Sequence, residues 1–209
     1  MTGDSLQRPL ITGRLALLAA RSIVYVCVLA VVVSALAQPS QADDLADRKA
    51  AVAVQFAKAE ALRTALEAKP ERERSLQEYT QVTSAYRRVY LITPHAVEVP
   101  TAIKQVGDLY KRMGQQFDPK YFRSALVSYE FLVKDYPASR LVPEAQLEIA
   151  ALQRGPLDQP DLARQAYEQF LKQFPGSPRA GEARAALAEM AAAPRKDASA
   201  SASASPDPV

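Results

Sequence analysis

The chain has 209 residues, 48% of them apolar, with 26 Lys and Arg set against 23 Asp and Glu. That length accommodates one domain with appendages, and the apolar fraction suffices for a core. Acidic and basic residues alternate along most of the expected helices, which argues against nucleic acid as a partner, since a phosphate backbone calls for cations gathered on one face.

Ile23 to Ala37 is a run of fifteen uncharged residues, preceded by Arg8, Arg14 and Arg21 and closed by Ala35-Leu36-Ala37. Residues 1–37 are read as a secretory signal, with small residues where a signal peptidase would cut. Retention as an N-terminal inner-membrane anchor through residues 23–37 is the alternative, although a span needs about 20 apolar residues. The one cysteine, Cys27, lies inside that run, and Val24-Tyr25-Val26 before it lacks the small residue of a lipoprotein signal. Cleavage after Ala37 would leave no thiol, which suits an oxidising compartment. It would also leave 23 basic residues against 22 acidic ones, once Arg8, Arg14, Arg21 and Asp4 are subtracted. The expected location is the periplasm, with membrane contact only if the N-terminal segment is retained.

Residues 41–192 read as a helical domain. Gln41 to Lys69 has no Gly or Pro and carries Leu45, Val52, Phe56, Ala59 and Leu66 at helical spacing. Pro70 breaks it, and Glu71 to Thr93 resumes the pattern through Leu76, Tyr79, Val82, Tyr86, Val89 and Tyr90, so the two form a hairpin. Within that segment Glu71-Arg72-Glu73-Arg74 reads as a solvated face with local ion pairs. Glu98 to Gly114 makes a third helix, with Gly114 as its stop. Pro119 to Tyr136 follows, started by Asp118-Pro119 and closed by Pro137. Pro143 to Gln153, Pro160 to Phe174 and Arg179 to Ala192 complete seven helices, separated by Arg154-Gly155-Pro156 and Pro175-Gly176. Residues 193–209 collapse to Ala, Ser, Pro and Asp and are expected to be a disordered tail, of the kind that links to a further domain in longer relatives.

The segment Ala125 to Ser139, ALVSYEFLVKDYPAS, returns 38 positions later as ARQAYEQFLKQFPGS from Ala163 to Ser177. Such a period marks units that cannot bury their apolar faces alone and must stack on neighbours. Ala125, Tyr129, Leu132 and Pro137 have the spacing of the second helix of a tetratricopeptide repeat, as do Ala163, Tyr167, Phe170 and Pro175, and an earlier copy is visible in Val82, Tyr86, Val89 and Pro94. The first helix of that unit resembles Ile103, Val106, Gly107, Tyr110 and Gly114. The fold class expected is all-α, about seven helices in antiparallel hairpins, and the resemblance implies their stacking as a short right-handed solenoid. Phe131 to Ser139 is similar to exported bacterial repeat proteins of the outer-membrane assembly lipoprotein and Tol-Pal coordinator type. Tyr86 to Pro100 resembles a stretch in the N-terminal repeat region of some N-acetylmuramoyl-L-alanine amidases. Asp118 to Phe122 and Gly155 to Gln159 depart from the pattern by lengthening turns.

No catalytic, cofactor-binding or metal-ligating residue is expected. Zinc hydrolysis needs several His and acidic ligands around an open position, and His95, after a helix-ending proline, is the one histidine. No serine has a histidine partner in a nucleophile motif, and glycine-rich phosphate loops are missing. The resemblance implies that binding uses the face formed by the first helix of each unit, which carries Thr101, Lys104, Asp108, Lys111, Arg112, Glu144 and Arg154. That mixture suits a peptide or protein held by polar contacts. The function expected is an exported, non-catalytic scaffold for envelope proteins, with cell-wall hydrolases or outer-membrane assembly components as partners. The alternative is the accessory region of a peptidoglycan amidase without its catalytic domain.

Overall fold

The computed structural model describes residues 41–192; the expected signal at 1–37 and the expected tail at 193–209 lie outside them. The chain divides into two compact units, residues 1–47 and 48–209. Of the first, only the helical residues 41–47 are described, and the packing below is that of the second.

Among the described residues seven α-helices follow one another: α1 (Gln41–Glu67), α2 (Leu76–Ile92), α3 (Val99–Gln116), α4 (Tyr121–Asp135), α5 (Val142–Arg154), α6 (Pro160–Gln173) and α7 (Ala180–Ala192), with a 3-10 turn at Glu71–Glu73. No strand occurs among the described residues, and none of their helices is long and apolar enough to cross a membrane. The all-α architecture expected from the periodicity is the one observed.

Side-chain contacts give the pairing. Between α1 and α2, Gln55 Nε2 donates to the Ala85 carbonyl at 2.8 Å, the Tyr86 hydroxyl donates to Glu60, and Lys69 pairs with Glu78. The partners close up in sequence toward the connecting turn, which makes the hairpin antiparallel. In α3 and α4, Tyr129 meets Gly107 and Phe122 meets Gly114, again antiparallel. Gln146 of α5 donates to Gln173 of α6. Alternate helices run parallel. Ion pairs join α1 to α3, α3 to α5 and α5 to α7, while Tyr90 of α2 meets Phe131 of α4 edge to face, with ring centroids 5.9 Å apart. The odd-numbered helices therefore share one layer and the even-numbered ones another.

The repeat is also exact in its turns. Tyr136 ends α4 at φ −129°, ψ 53°, and Phe174 ends α6 at φ −129°, ψ 56°. Ser139 and Ser177 each donate a backbone N–H to that aromatic's carbonyl and accept, through the side-chain oxygen, the N–H two residues on. The proline between them cannot continue a helix, and the serine satisfies an amide at the start of the next one.

Most helix ends differ from the sequence reading by a residue or two, and three of the differences have a local reason. The second helix begins at Leu76 rather than Glu71, because Ser75 and Glu78 form a reciprocal capping box there and the preceding residues close a 3-10 turn. Arg74 in that turn folds back, donating to the carbonyls of Glu67 and Lys69 and satisfying the end of α1. The Glu71 to Arg74 run is thus partly a cap rather than only a solvated face. The third helix passes Gly114 and ends at Gln116: this glycine is a packing site, where a Cβ would come within 2.8 Å of the Phe122 ring. The fourth begins at Tyr121, with Asp118 accepting the Lys120 N–H at 2.9 Å just ahead of it.

Two apolar clusters lie between the layers. The larger runs from α1 to α5 around Val52, Leu66, Tyr86, Ile103, Leu109 and Leu132. The smaller one, from α5 to α7, is built on Leu147, Tyr167 and Phe170 with five alanines. Burying a Leu, Ile or Val side chain contributes about 1.5–3 kcal/mol, and an alanine much less, so the second cluster is the weaker adhesive.

Candidate protein-binding face

Val-Pro-x-Ala opens both α3, at Val99 to Ala102, and α5, at Val142 to Ala145, and in each the valine is the first helical residue. This common start turns the same positions of both helices toward the same side, since residues three and four apart share a helix face. Six of the seven expected face residues meet there in a ladder of ion pairs. Lys104 Nζ lies 2.8 Å from Asp108 Oδ2 and 2.9 Å from Glu144 Oε1 of the next unit. Lys111 Nζ reaches Glu148 at 2.6 Å, Arg112 reaches Glu67 of α1 at 3.0 Å, and Arg154 reaches Glu189 of α7 at 2.9 Å.

The rungs are fastened from beneath. Tyr129, fully buried on α4, sends its hydroxyl to Asp108 Oδ1 at 2.7 Å. Its ring lies where a side chain on residue 107 would stand, because a Cβ there would come within 2.6 Å of Tyr129 Cε1. Glycine is required at 107 for this approach. Burial, then the Asp108 carboxylate beside it, pushes the Tyr129 hydroxyl well above the usual phenol range. Burial would lower the Lys104 ammonium, but its hydrogen bonds to Asp108 and Glu144 outweigh that and raise it. Both groups hold their protons across neutral pH, so the ladder is a fixed array of charges and not a proton relay.

The same arrangement occurs one unit earlier. Tyr86 of α2 donates to Glu60 of α1, while Arg63 bonds Glu60, Glu67 and the Tyr86 oxygen. Burial pushes the Glu60 carboxyl up, and the Arg63 and Tyr86 hydrogen bonds more than reverse this. In both units a tyrosine from the second helix holds a carboxylate on the first, and that carboxylate holds a cation which takes part in the link to the next helix of the layer. The more exposed of these pairs, such as Arg154 with Glu189, contribute about 0–1 kcal/mol each, so their effect is to fix the register of the face.

Thr101 stands apart. It makes no side-chain hydrogen bond among the described residues and lines a cleft of about 1010 Å³ between the α2–α3 and α4–α5 turns, together with His95, Asp135, Tyr136 and Arg140. His95 is exposed in the loop expected for it, and Tyr136 ties the two turns together by donating to the Pro94 carbonyl at 2.9 Å. Sequence reasoning missed Glu67, Glu148 and Glu189, the carboxylate partners of the expected face. For Glu148 the signal is the shared Val-Pro-x-Ala start, which sets the registers of α3 and α5; Glu67 and Glu189 lie on helices without it. Among the described residues no group of three His, Cys, Asp or Glu side chains is placed to hold a metal ion. No family model and no curated protein matches this chain.

Proposed function

We propose that this chain is an exported, non-catalytic scaffold of tetratricopeptide type, a short right-handed solenoid that binds proteins of the bacterial envelope through its odd-numbered helices. The observation that carries the reading is the charged ladder on α3, α5 and α7, which presents pre-set donors and acceptors on one side of the repeat layer. A rigid face of mixed charge loses little side-chain entropy on binding and selects partners by electrostatic complementarity. The export pattern of residues 1–37 supports an envelope location, and the shortage of histidine and thiol in the sequence supports a non-catalytic role.

Crosslinking in the native envelope, followed by mass spectrometry of captured proteins, tests this. The informative variant exchanges a rung, Lys111→Glu with Glu148→Lys, which keeps the internal pair and inverts the charge pattern a partner meets. Capture should fall at least tenfold with the exchange and persist with Glu130→Lys on α4. Equal capture by both variants would remove the odd-helix face from the proposal. Recovery of wall amidases would narrow the reading to an accessory region for peptidoglycan hydrolysis, whereas recovery of outer-membrane assembly components would favour a general scaffold. Peptidoglycan cleavage by the purified chain would overturn the non-catalytic reading altogether.

A further inference from the structure

The ladder lacks one rung, and a cavity lies in its place. In register from the shared Val-Pro-x-Ala start, Asp108 of α3 corresponds to Ala151 of α5, Lys104 to Leu147 and Lys111 to Arg154. On the second helices, Tyr129 corresponds to Tyr167. Tyr129 has a carboxylate to bond; Tyr167 does not, and its hydroxyl has no acceptor among the described residues. A cavity of about 330 Å³ opens there, lined by Ala151, Tyr167, Arg154 and Arg179, with Leu147 on its apolar side.

Three carboxylates also border the cavity, and each is already engaged: Glu148 by Lys111, Glu182 by Arg179, and Glu189 by Arg154. The donors are not exhausted. A guanidinium has five N–H groups; Arg154 uses one of them, on Nη1, and Arg179 uses those on Nε and Nη2. The carboxylates keep free lone pairs as well, so what the cavity lacks is local: beside Arg154, the Tyr167 hydroxyl has no counterpart to the acceptor that Asp108 gives Tyr129. Glu189 is the most exposed of the three carboxylates, with 71% of its side chain accessible, and so the easiest for a competing anion to displace from Arg154.

We infer that this cavity receives an acidic side chain, Asp or Glu, from a protein partner, which accepts from Tyr167 and Arg154 and so takes the position that Asp108 holds in the preceding unit. The inference rests on the scaffold reading and specifies its site: a rung left out of the chain and completed by the ligand. The apolar wall at Leu147 and Ala151 gives contact to the stem of a side chain, which a small free anion lacks.

The test supplies the missing rung in cis. The full chain, labelled with ¹⁵N, is titrated with capped acetyl-Ala-Glu-Ala-amide, its Gln counterpart and sodium acetate. Expected are shifts at Ala151, Arg154 and Tyr167 with the Glu peptide and not with the Gln peptide. Ala151→Asp should weaken peptide binding at least tenfold and raise Tm by about 2–4 °C, as one added hydrogen bond would in a domain of this size. Tyr167→Phe, which removes one oxygen and leaves the packing, should also weaken binding about tenfold. Unchanged binding in Ala151→Asp and Tyr167→Phe, no shift with the Glu peptide, or equal shifts with the Gln peptide or acetate would each overturn the inference. Envelope capture that survives Ala151→Asp would retire the cavity while leaving the scaffold reading in place; the expected peptide shifts in a wild-type chain that captures no envelope protein would keep the cavity and overturn the scaffold reading.

Discussion

Tyr129 and Tyr79 are both fully buried, yet their hydroxyls stand in opposite situations. Tyr129 donates to a charged carboxylate, whereas the Tyr79 hydroxyl is buried without a partner. A hydrogen bond to a charged group contributes about 1.5–3 kcal/mol, and a buried polar group left unpaired costs about 1–3 kcal/mol. Tyr129→Phe is therefore expected to destabilise the domain by about 1.5–2 kcal/mol, the lower part of the range for a bond to a charged group, because Lys104 still holds Asp108. Tyr79→Phe is expected to be neutral or stabilising. Urea unfolding of the two variants decides it, and equal losses would mean that the rings, not the hydroxyls, carry the energy. In the sequence both residues are tyrosines at core spacing on second-helix patterns; which of them has a carboxylate opposite is a matter of how the neighbouring helix is rotated.

Among the elements, α2 has the best-defined start. Ser75 Oγ accepts from the Glu78 N–H while Glu78 accepts from the Ser75 N–H at 2.9 Å, and Lys69 pairs with the same carboxylate from the end of α1. Those bonds, the Lys69 ammonium foremost, hold the Glu78 carboxyl down at about 2, so it is ionised at neutral pH. Ser75→Ala should cost about 1 kcal/mol, the usual value of an N-cap, and should lower the helical signal at 222 nm only slightly at room temperature. A loss beyond 3 kcal/mol would show that the turn at residues 68–75 nucleates the hairpin rather than merely capping it. The other element starts were legible from proline and the Tyr/Phe-Pro-x-Ser turn, because those signals act within four or five residues. Gly114 misled for the opposite reason: glycine near a helix end is the common stop signal, and only the approach of Phe122 from α4 reveals that it serves close packing instead.

At the scale of the whole described domain, stability is graded along the chain. The cluster shared by α1 to α5 holds large side chains, while the one under α7 is mostly alanine. In a stack where each unit contacts only its neighbours, local stability follows the local interface. Hydrogen exchange should therefore protect the amides of α2, α3 and α4 most, with α7 opening first and at least a hundredfold less protected than α3. Uniform protection would mean that the domain unfolds as one cooperative body. This gradient also bears on the proposed cavity between α5 and α7: an acidic ligand there would tie the weakest helix to its neighbour, and protection of α7 should rise on peptide binding.

The sequence by itself determined the number and approximate positions of the described helices, the repeat of Ala125 to Ser139 at Ala163 to Ser177, and the apolar stripe of each helix. All of these follow from local periods of 3.6 residues and from turn residues whose backbone restrictions do not depend on distant neighbours. Only the tertiary structure decided that Lys104 would reach Glu144, that Arg112 would reach Glu67, and that Thr101 would face a different cleft from the rest of the expected face. Helix rotation and the approach of neighbours set those partners, and a shift of one residue in packing would exchange them all.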